Sequence, residues 1–306
     1  MIQGLLKHEG MEQALANDGL TFSPLGYEIW QEVFKIDPSS ADIRHLNLGN
    51  LIKSGSFSIT TEMYEQFHAY LSAQDFSQTP QFVASQEGLA DIYMYLAQHN
   101  EEKQLTEFLS ILKEFFDIKV VALVRRQDHF AESFYSHSVR QGYSGDFDEF
   151  IDMFPCQHMH WDRLISYFAE TLEADEVSVF PFEKPLLEQY ANENIASCFM
   201  KACGVSSNVN YGVLPVVNPS IAPFAIPVAL HANRTLEFYQ AYQVNQALAQ
   251  GCAKPPGSAF SFFSDDYRSE FLATYAESNK ILFAKYAPEF PSDSYSISNL
   301  PPETLP

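Results

Sequence analysis

The sequence predicts an α/β fold, a parallel sheet flanked by helices with a mostly helical C-terminal part, and three observations carry that prediction. Lys119-Val120-Val121-Ala122-Leu123-Val124 is a continuous rather than alternating β run, the pattern of a parallel strand buried on both faces. Short β runs alternate with helical stretches of about ten residues or more, as in a doubly wound sheet. From Leu186 onward helical spacing dominates, interrupted by Pro-punctuated apolar stretches between residues 213 and 229.

Taken in order, Ile2, Leu5, Leu6, Met11, Ala14 and Leu15 keep near-helical spacing until Asn17-Asp18-Gly19 stops them. Helices are expected over 28–53 and 60–73, the second capped by Thr60 or Thr61. A short strand over Gln81–Ser85 follows Thr79-Pro80 and leads into a helix over 89–98. Leu105, Phe108, Leu109, Leu112 and Phe116 form the apolar stripe of an amphipathic helix over 104–116. The strand over 119–124 ends at Arg125-Arg126, and a helix from Asp128 to Gln141 is closed by Gly142. Helices over 146–153 and 161–172 precede a further β run from Glu176 to Phe182, Val177-Ser178-Val179-Phe180, punctuated by Pro181. Two long helices are expected over 225–249 and 265–286, the latter capped by Ser264. From Pro291 the chain is rich in Ser and Pro. The expected organisation is one domain over 1–290 with a flexible tail over 291–306.

The 306 residues are 46% hydrophobic, enough to bury a sizeable core. Lys and Arg total 18 against 39 Asp and Glu, a net charge of −21. Such a charge argues against nucleic acid and anionic membrane as partners, since both need a basic face. A small phosphorylated ligand remains open, because a few arginines in a cleft suffice for it. Cys156, Cys198, Cys203 and Cys252 contain no C-x-x-C pair, and buried free thiols are expected. No apolar run approaches the ~18–20 residues of a membrane span. The expected setting is cytoplasmic.

The junction Leu123-Val124-Arg125-Arg126-Gln127-Asp128-His129-Phe130-Ala131-Glu132-Ser133 carries the chemistry. Ligands of open α/β sheets bind at the carboxyl ends of strands, so an arginine there points where a ligand would sit. Ser133 lies between one and two turns into the following helix and can face the same junction. A guanidinium fork, a hydroxyl and a helix N-terminus describe a phosphate pocket. The competing interpretation pairs Arg125 with a carboxylate at the sheet edge and packs Ser133 locally. His129, in the first helical turn, is expected to be solvated. Cys156-Gln157-His158-Met159-His160 has metal-ligating residue types but no second cluster to complete a site, and no metal is expected.

Arginine followed eight residues later by serine across a strand–helix junction resembles the 3′-phosphate motif of sulfotransferases that use 3′-phosphoadenosine 5′-phosphosulfate. The text around it resembles the bacterial, carbohydrate-type branch of that family: Gln127-Asp128, Glu132-Ser133-Phe134-Tyr135, Arg140-Gln141-Gly142-Tyr143, Trp161-Asp162-Arg163-Leu164, Val177 to Glu183, Asn218-Pro219-Ser220, Asn233-Arg234 and Glu277-Ser278-Asn279. The resemblance runs from about residue 2 to 287. It implies a P-loop NTPase-like sheet, a nucleotide sulfate donor gripped through Arg125 and Ser133, and a small-molecule or glycan acceptor. An S-x-E stands in the family pattern where Ser85-Gln86-Glu87 stands here, which makes Glu87 the candidate general base; an acid stabilised at a helix start is its plainer role.

One family element has no counterpart. A Gly/Lys loop, roughly G-x-x-K-T-G-T-T, wraps the 5′-phosphosulfate in the family, and an Ile-Gln pair follows it; here that place is taken by Ile2-Gln3. The resemblance therefore implies a chain beginning just after its phosphate loop, through a misplaced start, trimming or degeneration. Gly49-Asn50-Leu51-Ile52-Lys53-Ser54-Gly55-Ser56 has the ingredients of such a loop in the wrong order, with Lys53 before Gly55. Removing a charge-stabilising group typically costs orders of magnitude in rate. Two function classes follow: a sulfotransferase acting on a carbohydrate hydroxyl, and a catalytically inactive binding protein on the same scaffold. A transferase of another donor class is the third.

Overall fold

A computed structural model of the protein describes residues 21–23, 61–73, 82–84, 88–98, 100–153, 158–191, 193–205, 221–252, 261–296 and 298. It is mostly helical, with strands in two parallel pairs, and so belongs broadly to the α/β class. The chain divides into two compact units. One holds Met1–Ala122, Arg163–Ser178 and Ala196–Leu214, the other Leu123–Asp162, Val179–Ile195 and Pro215–Pro306.

In the first unit β1 (Thr21–Ser23) and β2 (Phe82–Ala84) pair in parallel, with Thr21 opposite Phe82. Its core is built by α1 (Thr61–Ser72), α2 (Gly88–Gln98) and α3 (Glu102–Leu109). Phe67 and Leu71 of α1 meet Leu96 of α2 and Leu105, Phe108 and Leu109 of α3. The Phe67 and Phe108 rings stack at 4.6 Å. The apolar stripe read in the sequence is this buried face, but one helix over 104–116 is not formed. Ser110 donates its hydroxyl to the Glu107 carbonyl, competing with the helical ladder, and a tight turn at Leu112–Glu114 follows. The break buries Ile111, a residue off the stripe.

β3 (Lys119–Val124) pairs with β4 (Glu176–Pro181). The amide of Asp175 donates to the Ile118 carbonyl at one end and that of Phe182 to the Val124 carbonyl at the other, so the strands run the same way. The expectation of burial on both faces is not met: only Val124 is buried, and Val120 to Leu123 are half-buried. β4 is the one strand paired with β3 among the described residues, and an inner strand needs neighbours on both sides.

In the second unit α4 (Gln127–Arg140) leaves β3 and ends at Gly142, whose φ of +104° suits glycine alone. α5 (Phe147–Met153) follows, and α6 (Trp161–Thr171) begins here and continues into the first unit, as α7 (Ile195–Ala202) also does. The two long C-terminal helices are four: α8 (Ile226–Thr235), α9 (Phe238–Gly251), α10 (Asp265–Ala273) and α11 (Ala276–Tyr286). No Gly or Pro announces the first break, where Leu236 and Glu237 are extended. Tertiary contacts hold it instead. Asn233 donates to the carbonyls of Val139 and Tyr143, Arg234 to that of Ser144, and the Phe238 ring lies over Gly142. Ser264 caps α10 as expected, accepting from the Tyr267 amide.

The tail expected to be loose from residue 291 is packed at its start. Ser294 and Tyr295 are buried, and the Tyr295 hydroxyl donates to the Val124 carbonyl at 2.8 Å. The Tyr295 ring stands perpendicular on Phe283, with centroids 4.9 Å apart. An aromatic residue with a carbonyl for its hydroxyl outweighs the Ser/Pro composition around it. Among the described residues no helix is long and apolar enough to cross a membrane.

The aromatic cluster around α4 sets an alkaline limit. Burial, then the charge of Asp146, pushes the Tyr135 phenol up to about 12, and burial raises Tyr143 as well. A phenol raised in the fold keeps its proton there while the unfolded chain begins to lose its own near pH ~10. Stability is therefore fully present below pH 10 and falls as pH rises toward 12. Denaturant midpoints measured at pH 8, 10 and 11.5 are expected to drop across the last interval, and to drop less in Tyr135→Phe. A midpoint indifferent to pH there contradicts the assignment.

Candidate functional site

β3 ends where the chain turns into α4, and two consecutive arginines at that point take opposite fates. Arg126 turns inward and is fully buried. Its Nε and Nη2 donate to the two oxygens of Asp128 at 2.7 and 2.8 Å, a bidentate pair within one turn of chain. Its Nη2 lies 3.0 Å from His129 Nε2, and its amide donates to Glu183 Oε1 at 2.8 Å. Asp128 also meets a second buried arginine, with Arg268 Nε at 3.1 Å from Oδ2. Burial by itself would raise the Asp128 carboxyl. The Arg126 hydrogen bond, with the charges of His129 and Arg126, outweighs it and holds the group below the ordinary carboxylate range.

The remaining acids of this cluster each have one oxygen engaged. Glu132 accepts from the Ser261 hydroxyl and from the Phe262 amide at 2.9 Å, with Arg268 Nη2 at 3.8 Å. Ser261 in turn accepts from Arg268. Glu183, besides the Arg126 amide, faces His129 Nδ1 at 3.4 Å. His129 is thus buried among charged groups rather than solvated, because α4 turns its first-turn face inward. Gln127 and Asn279 exchange two amide hydrogen bonds, 2.8 and 3.0 Å, which ties α11 to the start of α4.

Arg125 is different. It follows β3 directly, its carbonyl held at 2.7 Å by Trp161 Nε1 while its guanidinium lies over the Phe182 ring at 5.4 Å. It is half-buried. Burial lowers its pKa from the ordinary arginine value, opposed by the charges of Glu183, Glu132, Tyr295 and Asp128. Those groups are near enough to compensate the charge; Asp128 and Glu132 are hydrogen-bonded elsewhere, while Glu183 spends Oε1 on the Arg126 amide and keeps Oε2 buried without a hydrogen-bond partner among the described residues. Among the described residues the Arg125 guanidinium makes neither a hydrogen bond nor an ion pair. A stacked guanidinium with its donors unspent is a ready anion contact.

Ser133 is the seventh residue of α4 and half-buried, and its hydroxyl has no partner among the described residues. It shares a stripe with Phe130 and Phe134, whose rings stack at 5.8 Å, while Phe130 stands edge-on to Trp161 at 5.3 Å. Arg125 and Ser133 thus both lie in the second unit, at the strand–helix junction, and both are uncommitted. Glu87, the Gly49–Ser56 segment and Cys156 lie outside the described residues.

Phe182, Glu183 and Tyr295 were not foreseen in the sequence. A signal for the first two exists: β4 is parallel to β3, so the residues after its end belong beside those after β3, by the rule that located Arg125. Tyr295 had none, since nothing local marks a docking tail. Compared with known protein families, characterised proteins and solved structures, the chain matches none.

Proposed function

We propose that this protein is a sulfotransferase-type protein with a P-loop NTPase-like ancestry, moving a sulfuryl group from 3′-phosphoadenosine 5′-phosphosulfate to a hydroxyl of a carbohydrate. The observation that supports it is Arg125, stacked on Phe182 at the end of β3, whose guanidinium makes neither a hydrogen bond nor an ion pair among the described residues. In this proposal Arg125 and Ser133 hold the 3′-phosphate. The acceptor oxygen attacks sulfur in line, the bond from sulfur to the 5′-phosphate oxygen breaks, and the electron pair leaves on that phosphate. The hydroxyl proton passes to a base, for which Glu87 is the candidate from the sequence. Arg125 contributes position rather than chemistry, since it grips a group that does not react.

The nucleotide tests this directly. Adenosine 3′,5′-bisphosphate is expected to bind about tenfold or more tightly than adenosine 5′-monophosphate, because only the former offers an anion to Arg125 and Ser133. Calorimetric titration of both on the wild-type chain gives the ratio. Equal affinities, or no binding of either, overturn the proposal. Bisphosphate binding without sulfate transfer from the labelled donor to any sugar identifies the inactive binding protein instead.

A further inference from the structure

α4 carries another basic position on the stripe that holds Ser133. Arg140 lies seven residues beyond Ser133, so their side chains leave the helix within about 20° of each other and about 10 Å apart along its axis. His137 stands between them, and Arg140 Nη2 approaches its Nδ1 at 3.5 Å. Burial, then the Arg140 charge, lowers His137 from the ordinary histidine pKa, and an imidazole that accepts from Arg140 at Nδ1 carries its proton on Nε2. The pair presents a guanidinium and an imidazole N–H, donors only.

Arg140, like Arg125, Arg163 and Arg234, differs from the paired lysines of this chain. Acids outnumber basic residues 39 to 18, and Lys103, Lys113, Lys119, Lys184 and Lys280 each pair with a glutamate. Arg140 makes no ion pair among the described residues, and its Nε is buried without a hydrogen-bond partner among them. A cation at a helix C-terminus is favoured by the dipole, which accounts for the charge but not for the unspent Nε.

Resting on the sulfuryl-transfer proposal above, we infer that Arg140 and His137 form an anion subsite for the acceptor, a carbohydrate bearing a carboxylate or a sulfate ester. The nucleotide itself is the less suitable occupant. Its two phosphates are separated by a single ribose, a shorter reach than the two helical turns from Ser133 to Arg140.

Three probes separate the cases: a tetramer of galacturonic acid, a galactose tetramer carrying one sulfate ester, and the uncharged galactose tetramer. Titrated into the full chain, at least one charged tetramer is expected to bind about tenfold tighter than the neutral one, and the tighter of the two names the source of the anion. Arg140→Ala is expected to erase that preference and Arg140→Lys to restore it in part. Adenosine 3′,5′-bisphosphate affinity should stay within about twofold in both variants, and the thermal midpoint confirms that both are folded. Equal binding of charged and neutral tetramers, or a preference that survives Arg140→Ala, overturns the subsite. A matching loss of bisphosphate affinity assigns Arg140 to the nucleotide and overturns it as well. Failure of the bisphosphate to bind the wild-type chain, with the charged preference intact and dependent on Arg140, removes the transfer proposal and leaves the anion subsite standing.

Discussion

Asp128→Asn is expected to destabilise the protein by about 3–5 kcal/mol, the cost of breaking a buried ion pair by removing one partner. Asp128 takes two hydrogen bonds from Arg126 and lies 3.1 Å from Arg268 Nε, and both guanidinium groups are almost wholly buried. The substitution keeps the shape and removes the charge. Two cations then share an interior with Glu132 and Glu183, which already serve Ser261, the Phe262 amide and the Arg126 amide. A loss of that size is a large fraction of the ~5–15 kcal/mol that holds a domain together. Urea unfolding gives the number. Lys103→Ala, which breaks an exposed pair with Glu107, serves as the comparison and should move stability by less than about 1 kcal/mol. If Asp128→Asn behaves like Lys103→Ala, the buried cluster does not anchor this junction. The cluster also explains why two adjacent arginines differ: one completes the interior, and the other stays available.

Arg125→Ala is expected to weaken adenosine 3′,5′-bisphosphate binding about 100-fold, the order expected when a guanidinium contact to a phosphate is removed. Ser133→Ala removes a single hydroxyl and should cost about three- to tenfold. If both groups grip one phosphate, their effects couple, and the double variant loses less than the product of the single losses. Multiplicative effects would place the two residues on separate ligands or leave one of them outside the site. Stability offers a control, because the Arg125 guanidinium carries no hydrogen bond or ion pair among the described residues. Its truncation should leave the unfolding midpoint nearly unchanged, in contrast to Asp128→Asn. An Arg125→Ala variant that unfolds while nucleotide affinity is unaffected would mark Arg125 as structural.

Much of the architecture was legible because it is local. The strand over 119–124, the helix that follows it, the Ser264 cap and the stop at Gly142 all rest on residues within a few positions of one another. Helical and strand periodicities are properties of short segments, and so are turns that demand a positive φ. The same locality singled out Arg125 and Ser133 as candidates, since a strand end and the next two helical turns are one stretch of chain. Breaks at Leu236 and after Leu109 were not legible. The first is held by Asn233, Arg234 and Phe238 acting on the end of α4, about ninety residues away.

Which arginine of the Arg125-Arg126 doublet faces inward depends on Asp128, His129, Glu183 and the carbonyl of Ser296, and two of these, Glu183 and Ser296, reach it only once the chain has folded. Composition marked residues 291–296 as loose, yet a carbonyl at the end of β3 and the Phe283 ring hold Tyr295 in place. Residue pattern thus decides which segments become helix or strand and which side chains have the chemistry of an anion site. Long-range packing decides which of those side chains are consumed by buried partners and which remain free, because desolvation and charge pairing act between groups that no short window of sequence contains.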